Sequence, residues 1–128
     1  MEHDEITKQI IGRAYAVYNK MGFGFLESVY EKCMVLELQK AGLKVQAQVP
    51  IQVRYEGEVV GEYFADLFVE DCVIVELKSA RHIVRDHEIQ LVNYLTATGI
   101  DVGLLINFAE KKVEVKRKVR LLPQEVDF

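Results

Sequence analysis

The chain has 128 residues, half of them hydrophobic and 28% charged, with a formal net charge of −4. This is ordinary composition for a soluble globular protein, and the length suits a single domain over 1–128 with a real core and little room for a second. The acidic balance argues against a protein that coats nucleic acid without specificity.

No apolar stretch approaches the roughly 20 residues that span a bilayer. The opening MEHDEITKQI lacks the basic-then-apolar order of a secretory signal. The expectation is a cytoplasmic protein with no membrane partner.

Helical spacing comes first. Ile6, Ile10, Ala14, Val17, Tyr18 and Met21 predict a helix over 5–21, with Gly22 placed to stop it. After Gly22-Phe23-Gly24, a second helical pattern runs through Val29, Tyr30, Cys33, Leu36 and Ala41 to Gly42. The period then falls to two. Leu43, Val45, Ala47 and Val49 alternate with polar residues, Pro50 interrupts, and Ile51, Val53 and Tyr55 resume. Glu56-Gly57-Glu58 reads as a turn, followed by strands over about 59–69 and 73–79. Ile89, Val92 and Leu95 mark a third helix over 86–98 that ends at Gly99. A buried strand over 101–108 and a more exposed one over 113–119 complete the order ααβββαββ. This is an α+β layout, with helices packed on a mixed central sheet. A helix linking the third and fourth strands implies a parallel pair.

Cys33 and Cys72 lie 39 positions apart, with no Cys or His at tight metal-ligand spacing beside them. They read as reduced, small hydrophobes. The run KKVEVKRKVR (111–120) holds six basic residues and one acid; it suits a strand edge guarded by lysines.

The segment from Asp66 to Lys78 is apolar except where it is charged. Side chains of a strand alternate between faces. Ala65, Leu67 and Val69 should therefore oppose Phe64, Asp66 and Phe68, and Val73, Val75 and Leu77 should oppose Ile74, Glu76 and Lys78. One face is then continuously apolar and the other collects the charges. A two-residue turn would send Asp66 and Glu76 to different faces; a three-residue loop would put them on one. Two facing carboxylates repel and weaken a strand pair, and a divalent cation reverses that sign. Hard cations such as Mg²⁺ take oxygen ligands and keep several waters, so two carboxylates and a carbonyl suffice. Lys78 could then support a water or a negatively charged transition state. The plainer alternative is a solvated face on which Lys78 pairs with Asp66.

In the third helix His87, Gln90 and Tyr94 share a helical face. An amide and a phenol can hold phosphate oxygens, and the phenol can stack on a base. In the second helix Glu27 falls in the first turn, where the helix dipole favours it, and Tyr30 one turn later suits the core.

Taken together, Asp66, then Glu76-Leu77-Lys78, then Gln90-x-x-x-Tyr94 resemble the PD-(D/E)xK nuclease superfamily, in its exonuclease-like branch. Gly24-x-x-Glu27-x-x-Tyr30, with Leu-Leu-Ile-Asn-Phe at 104–108, resembles the small GxxExxY family placed within it. The resemblance spans roughly residues 5–120 and implies a restriction-endonuclease-like fold. It implies Mg²⁺ or Mn²⁺ held by Asp66, Glu76 and the carbonyl of Leu77, with Lys78 as the catalytic lysine. Glu27 matches the helix carboxylate that completes such a site, directly or through water. Gln90 and Tyr94 match the pair that positions the nucleic-acid strand. Ala65 stands where the superfamily's name has proline.

The expected activity is a metal-dependent phosphodiester hydrolase whose partner is nucleic acid, DNA ahead of RNA. Its small size leaves room for a homodimer or protein partner that adds substrate grip. The alternative is a catalytically inactive module of the same fold that binds nucleic acid or a protein.

Overall fold

The computed structural model describes residues 2–120; residue 1 and residues 121–128, which the 1–128 domain reading includes, lie outside the described residues. Among the described residues the elements are α1 (Asp4–Met21), α2 (Glu27–Lys40), β1 (Val45–Tyr55), β2 (Glu58–Val69), β3 (Val73–Lys78), α3 (Arg85–Thr98), β4 (Val102–Phe108) and β5 (Val113–Val119). The order is the expected ααβββαββ. No helix among these residues is long and apolar enough to cross a membrane.

The strands form one sheet in the order β1-β2-β3-β4-β5. Its β3–β4 pair is parallel and the other pairs are antiparallel. A parallel pair needs a crossover connection, and α3 supplies it. β4 is buried along its whole length, as expected for a strand covered on both faces.

Two apolar layers flank the sheet. On one side Ile10, Ala14 and Val17 of α1 and Tyr30, Met34 and Leu38 of α2 pack on Val73, Val75, Leu77, Leu104 and Ile106. On the other, Leu91, Tyr94 and Leu95 of α3 pack on Ile74, Leu105, Ile51 and Ala65. Each fully buried Leu in these layers contributes about 1.5–3 kcal/mol of transfer free energy.

Two helical stripes differ from the sequence reading. In α2 the buried row is Tyr30, Met34 and Leu38, while Leu36 is exposed. In α3 it is Leu91, Tyr94 and Leu95, with Ile89 exposed. Both helices carry apolar residues on more than one face, so periodicity alone admits two stripes.

The β1–β2 hairpin turns on Glu56 and Gly57, both with positive φ. Such two-residue loops match the twist of the strands they join. This hairpin is long, yet β2 pairs with β3 only over Val69↔Val73, Phe68↔Ile74 and Leu67↔Val75. Beyond Leu67 the two strands part, and the outer half of the hairpin packs on α3 through Ile51 and Ala65.

The alternation expected along β2 breaks where the strands part. Leu67 joins the α1–α2 layer and Ala65, two residues away, joins the α3 layer. Strict alternation would put them together. The cause lies in β1, where Gln48 adopts a left-handed φ of 53°. The pairing passes from Ala47↔Leu67 to Val49↔Ala65 without a Gln48–Asp66 step. Left-handed backbone is uncommon outside glycine, and here it turns both strands over at Asp66.

The basic run forms β5, an edge strand whose charges are largely partnered. Lys118 pairs with Glu88 at 2.7 Å and Arg120 with Asp101 at 2.8 Å. Arg117 donates to the Glu2 carbonyl. Cys33 and Cys72 are free thiols.

Candidate functional site

The loop between β2 and β3 holds three residues, Glu70, Asp71 and Cys72, between the paired Val69 and Val73. Glu70 and Asp71 are both left-handed. Lys44 fixes them: its N–H donates to Glu70 Oε2 and its ammonium pairs with Asp71 at 2.8 Å. The odd loop length puts Asp66 and Glu76 on one face, each one step past the last ladder pair, Leu67↔Val75.

Where the strands part, a carboxylate takes over the ladder. Asp66 Oδ2 accepts the Leu77 N–H at 2.8 Å. The N–H and C=O of one strand residue leave the strand on the same edge. The Leu77 carbonyl therefore opens toward the same gap as Asp66.

Glu76 is 6% exposed, and its Oε1 has no hydrogen-bond partner. The solvated face of the plainer alternative is therefore closed at this position, where α3 packs on Ile74 of β3. Burial pushes the Glu76 carboxyl up to about 9, the hydrogen bond with Asp66 and its like charge push the same way, and Lys78 opposes them. A neutral carboxyl at pH 7 removes the repulsion that two ionised groups would create.

Lys78 is partly exposed at the end of β3. The plainer expectation paired it with Asp66. Instead the Asp66 oxygens take the Leu77 N–H and the Gln48 amide, and Lys78 makes no ion pair among the described residues. The segment after it is held firmly. Asn107, wholly buried and across from Lys78 in the β3–β4 register, bonds both the N–H and the C=O of Ala80 at 2.9 Å. Glu114 accepts from the Asn107 amide and from the Ile83 N–H.

Sequence reasoning missed Gln48 and Glu31. The Gln48 Nε2 donates to Glu31 Oε1 at 2.5 Å and to Asp66 Oδ1 at 3.3 Å. One amide thus ties α2 to the first carboxylate. Glu31 lies one turn after Glu27, on the same helical face, and that spacing was the available signal. A left-handed glutamine within a strand gives no sequence signal.

Glu27 begins α2 and is exposed. Its motif partners are structural. Gly24 has φ 110°, a conformation that side chains rarely adopt. Tyr30 is fully buried, stacks on Phe108 with ring centroids 4.2 Å apart, and donates its hydroxyl to the Gly22 carbonyl. Ser79 then donates to the Phe25 carbonyl at 2.6 Å, which seats this loop against the end of β3. Among the described residues no three His, Cys, Asp or Glu side chains gather as a metal cluster. Through the Gln48 amide, Glu31 is an α2 carboxylate tied to Asp66.

Tyr94 does not lie on an exposed polar face. It is 6% exposed in the α3 layer, and its ring sits 5.6 Å from that of Tyr63. Burial pushes its phenol up to about 12, with the charge of Glu76, then Tyr63 and Asp66, adding to the shift. It stays a proton donor at any physiological pH. Gln90 and Tyr94 both line a cleft of about 920 Å³ between α3 and the outer half of the hairpin.

A family model for the PD-(D/E)XK nuclease superfamily matches residues 4–118. No curated protein matches. The fold is similar to the crystal structure of SSO0001, with a TM-score of 0.55 and 15% identity over 94% of this chain. This chain spans 61% of the length of that one. At that identity the likeness concerns the fold alone.

Proposed function

Because the chain belongs to the PD-(D/E)XK nuclease superfamily, we propose that it is a metal-dependent phosphodiester hydrolase of the GxxExxY group, acting on DNA or RNA. The observation that carries this reading is the Glu76 Oε1. It is buried without a partner beside a second carboxylate and a backbone carbonyl that open into one gap. An unpaired buried polar atom is costly, and a hard cation satisfies three oxygens at once.

Asp66, Glu76 and the Leu77 carbonyl would hold the ion. When bound, Mg²⁺ or Mn²⁺ polarises a phosphoryl oxygen and acidifies a water. Lys78, which makes no ion pair among the described residues, offsets negative charge that develops on the phosphate. Gln48 and the Leu77 N–H fix the Asp66 carboxylate from two directions. Gln90 and Tyr94 orient the strand, the phenol as a permanent donor. Glu27 and Glu31 would supply negative charge from α2, Glu27 directly or through water.

The second reading, a non-catalytic module that binds nucleic acid or a protein, is favoured by one fact: among the described residues no three His, Cys, Asp or Glu side chains gather as a metal cluster. Calorimetric Mn²⁺ titration and cleavage of labelled DNA and RNA separate the two. Nuclease function requires Mn²⁺ binding that Glu76→Gln removes, with cleavage lost in parallel. A wild-type protein that binds no divalent ion and cuts nothing leaves the module.

A further inference from the structure

We propose that the cleft between α3 and the hairpin holds an unpaired nucleobase of a single strand whose phosphate reaches the acidic pair. This rests on the reading of Asp66 and Glu76 as a phosphodiester site and names the form of its substrate.

The cleft volume of about 920 Å³ lies near the top of the range for ligand pockets, roughly 300–1,000 Å³. Tyr63, Tyr94, Gln52, Gln90, Asn93 and Arg54 contribute to its lining. Each amide offers a donor and an acceptor, the groups that match base edges. Tyr63 is 45% exposed, so part of its ring is free to stack on a base.

The charges favour a base over a row of phosphates. The lining holds one basic and one acidic residue, Arg54 and Asp86, and the Arg54 guanidinium already bonds Gly57 O and Gln52 Oε1. Duplex binding depends on many phosphate contacts, and this near-neutral lining provides few. A duplex also keeps its bases stacked and paired, so a base enters such a cleft only from a single strand or after flipping out.

Position links the cleft to the acidic pair. Tyr94 shares a layer with Ile74, two residues before Glu76, and with Ala65, which directly precedes Asp66, and it also lines the cleft. Tyr63 touches Tyr94 from the hairpin side. The inner end of the cleft, at Tyr94, thus shares its layer with the residues beside the acidic pair.

The test is fluorescence anisotropy in EDTA, with short labelled single strands of DNA and of RNA and the matching duplexes. The expected result is tighter binding of a single strand than of its duplex. Tyr63→Ala should then lose about tenfold in affinity and Asn93→Ala should lose a smaller factor, while Tyr63→Phe keeps its ring and its binding. Circular dichroism confirms that each variant is folded. Duplex bound as tightly as single strand, no binding at all, or folded Tyr63→Ala and Asn93→Ala binding like wild type would overturn the proposal. The DNA and RNA arms assign the sugar. Wild type that binds in EDTA yet never cuts with Mn²⁺ sinks the nuclease reading alone; wild type that cuts while both cleft variants bind normally sinks the cleft alone.

Discussion

Asp66 accepts the backbone N–H of Leu77, so a side chain replaces a strand partner at the point where β2 leaves β3. The same bond sets the spacing between Asp66, Glu76 and Lys78. The site is thus a continuation of the sheet's hydrogen bonding after its ladder has ended.

Glu76→Gln should separate folding from metal binding. The substitution keeps the shape of the neutral carboxyl and removes its ability to ionise. Mn²⁺ affinity and cleavage should both be lost. The metal-free variant should melt no lower than wild type at pH 8, measured by thermal denaturation in EDTA.

The pH dependence of stability follows from the same group. The folded carboxyl titrates near 9, against an ordinary value of 4.5. Below about 4.5 both states hold the proton and the contribution of Glu76 is fully present. Between the two values the unfolded chain releases a proton that the folded chain keeps, so this contribution declines, and above about 9 it is gone. Metal-free wild type should therefore lose melting temperature from pH 5 to pH 9 more steeply than Glu76→Gln. Parallel pH profiles would refute this origin.

Lys78→Ala should leave the cation ligands in place. Mn²⁺ titration should show affinity retained or increased, because a nearby positive charge is gone. The activation free energy of hydrolysis should rise by about 3–4 kcal/mol, the usual worth of such a group, so the rate falls by roughly 10²–10³-fold. The melting temperature should hardly move, since Lys78 makes no ion pair among the described residues.

Gln48→Ala removes the amide shared by Glu31 and Asp66. Mn²⁺ affinity should drop roughly 10–100-fold, as it does when groups that orient metal ligands are lost. Gln48→Gly removes the same amide but suits the left-handed backbone. An equal affinity loss in a more stable Gly variant would assign the effect to the amide.

Tyr30→Phe keeps the stacking on Phe108 and removes the hydroxyl that holds the Gly22 carbonyl and receives the Phe25 N–H. The cost should be about 0.5–1.5 kcal/mol by denaturant unfolding. Hydrogen exchange should rise first over 22–26.

The element order and the hairpin charges were legible because their signals are local. Gly22, Gly42 and Gly99 stop helices, and a change of period marks β1. Loop parity was left open by the sequence and is settled by Glu70 and Asp71 in left-handed backbone. The stripe of α3 was misread because Ile89 and Leu91 are equally apolar, and only tertiary packing selects Leu91. Gly103 on β4 takes part in that selection, since a Cβ there would lie 2.8 Å from the Leu91 side chain. The burial of Glu76 was hidden as well: alternation assigns a face, but what covers that face comes from a helix elsewhere in the chain. Gln48 and Glu31 meet Asp66 only through a backbone turn that glutamine seldom makes.

The two outer strands carry unlike safeguards. β5 presents Lys116 and its partnered neighbours, while β1 presents Pro50, which has no N–H, beside the kink at Gln48. Neither rim offers a flat row of donors and acceptors for another chain to zip onto. The protein should accordingly resist fibril growth and remain monodisperse under conditions where a plain five-stranded sheet would recruit its own copies.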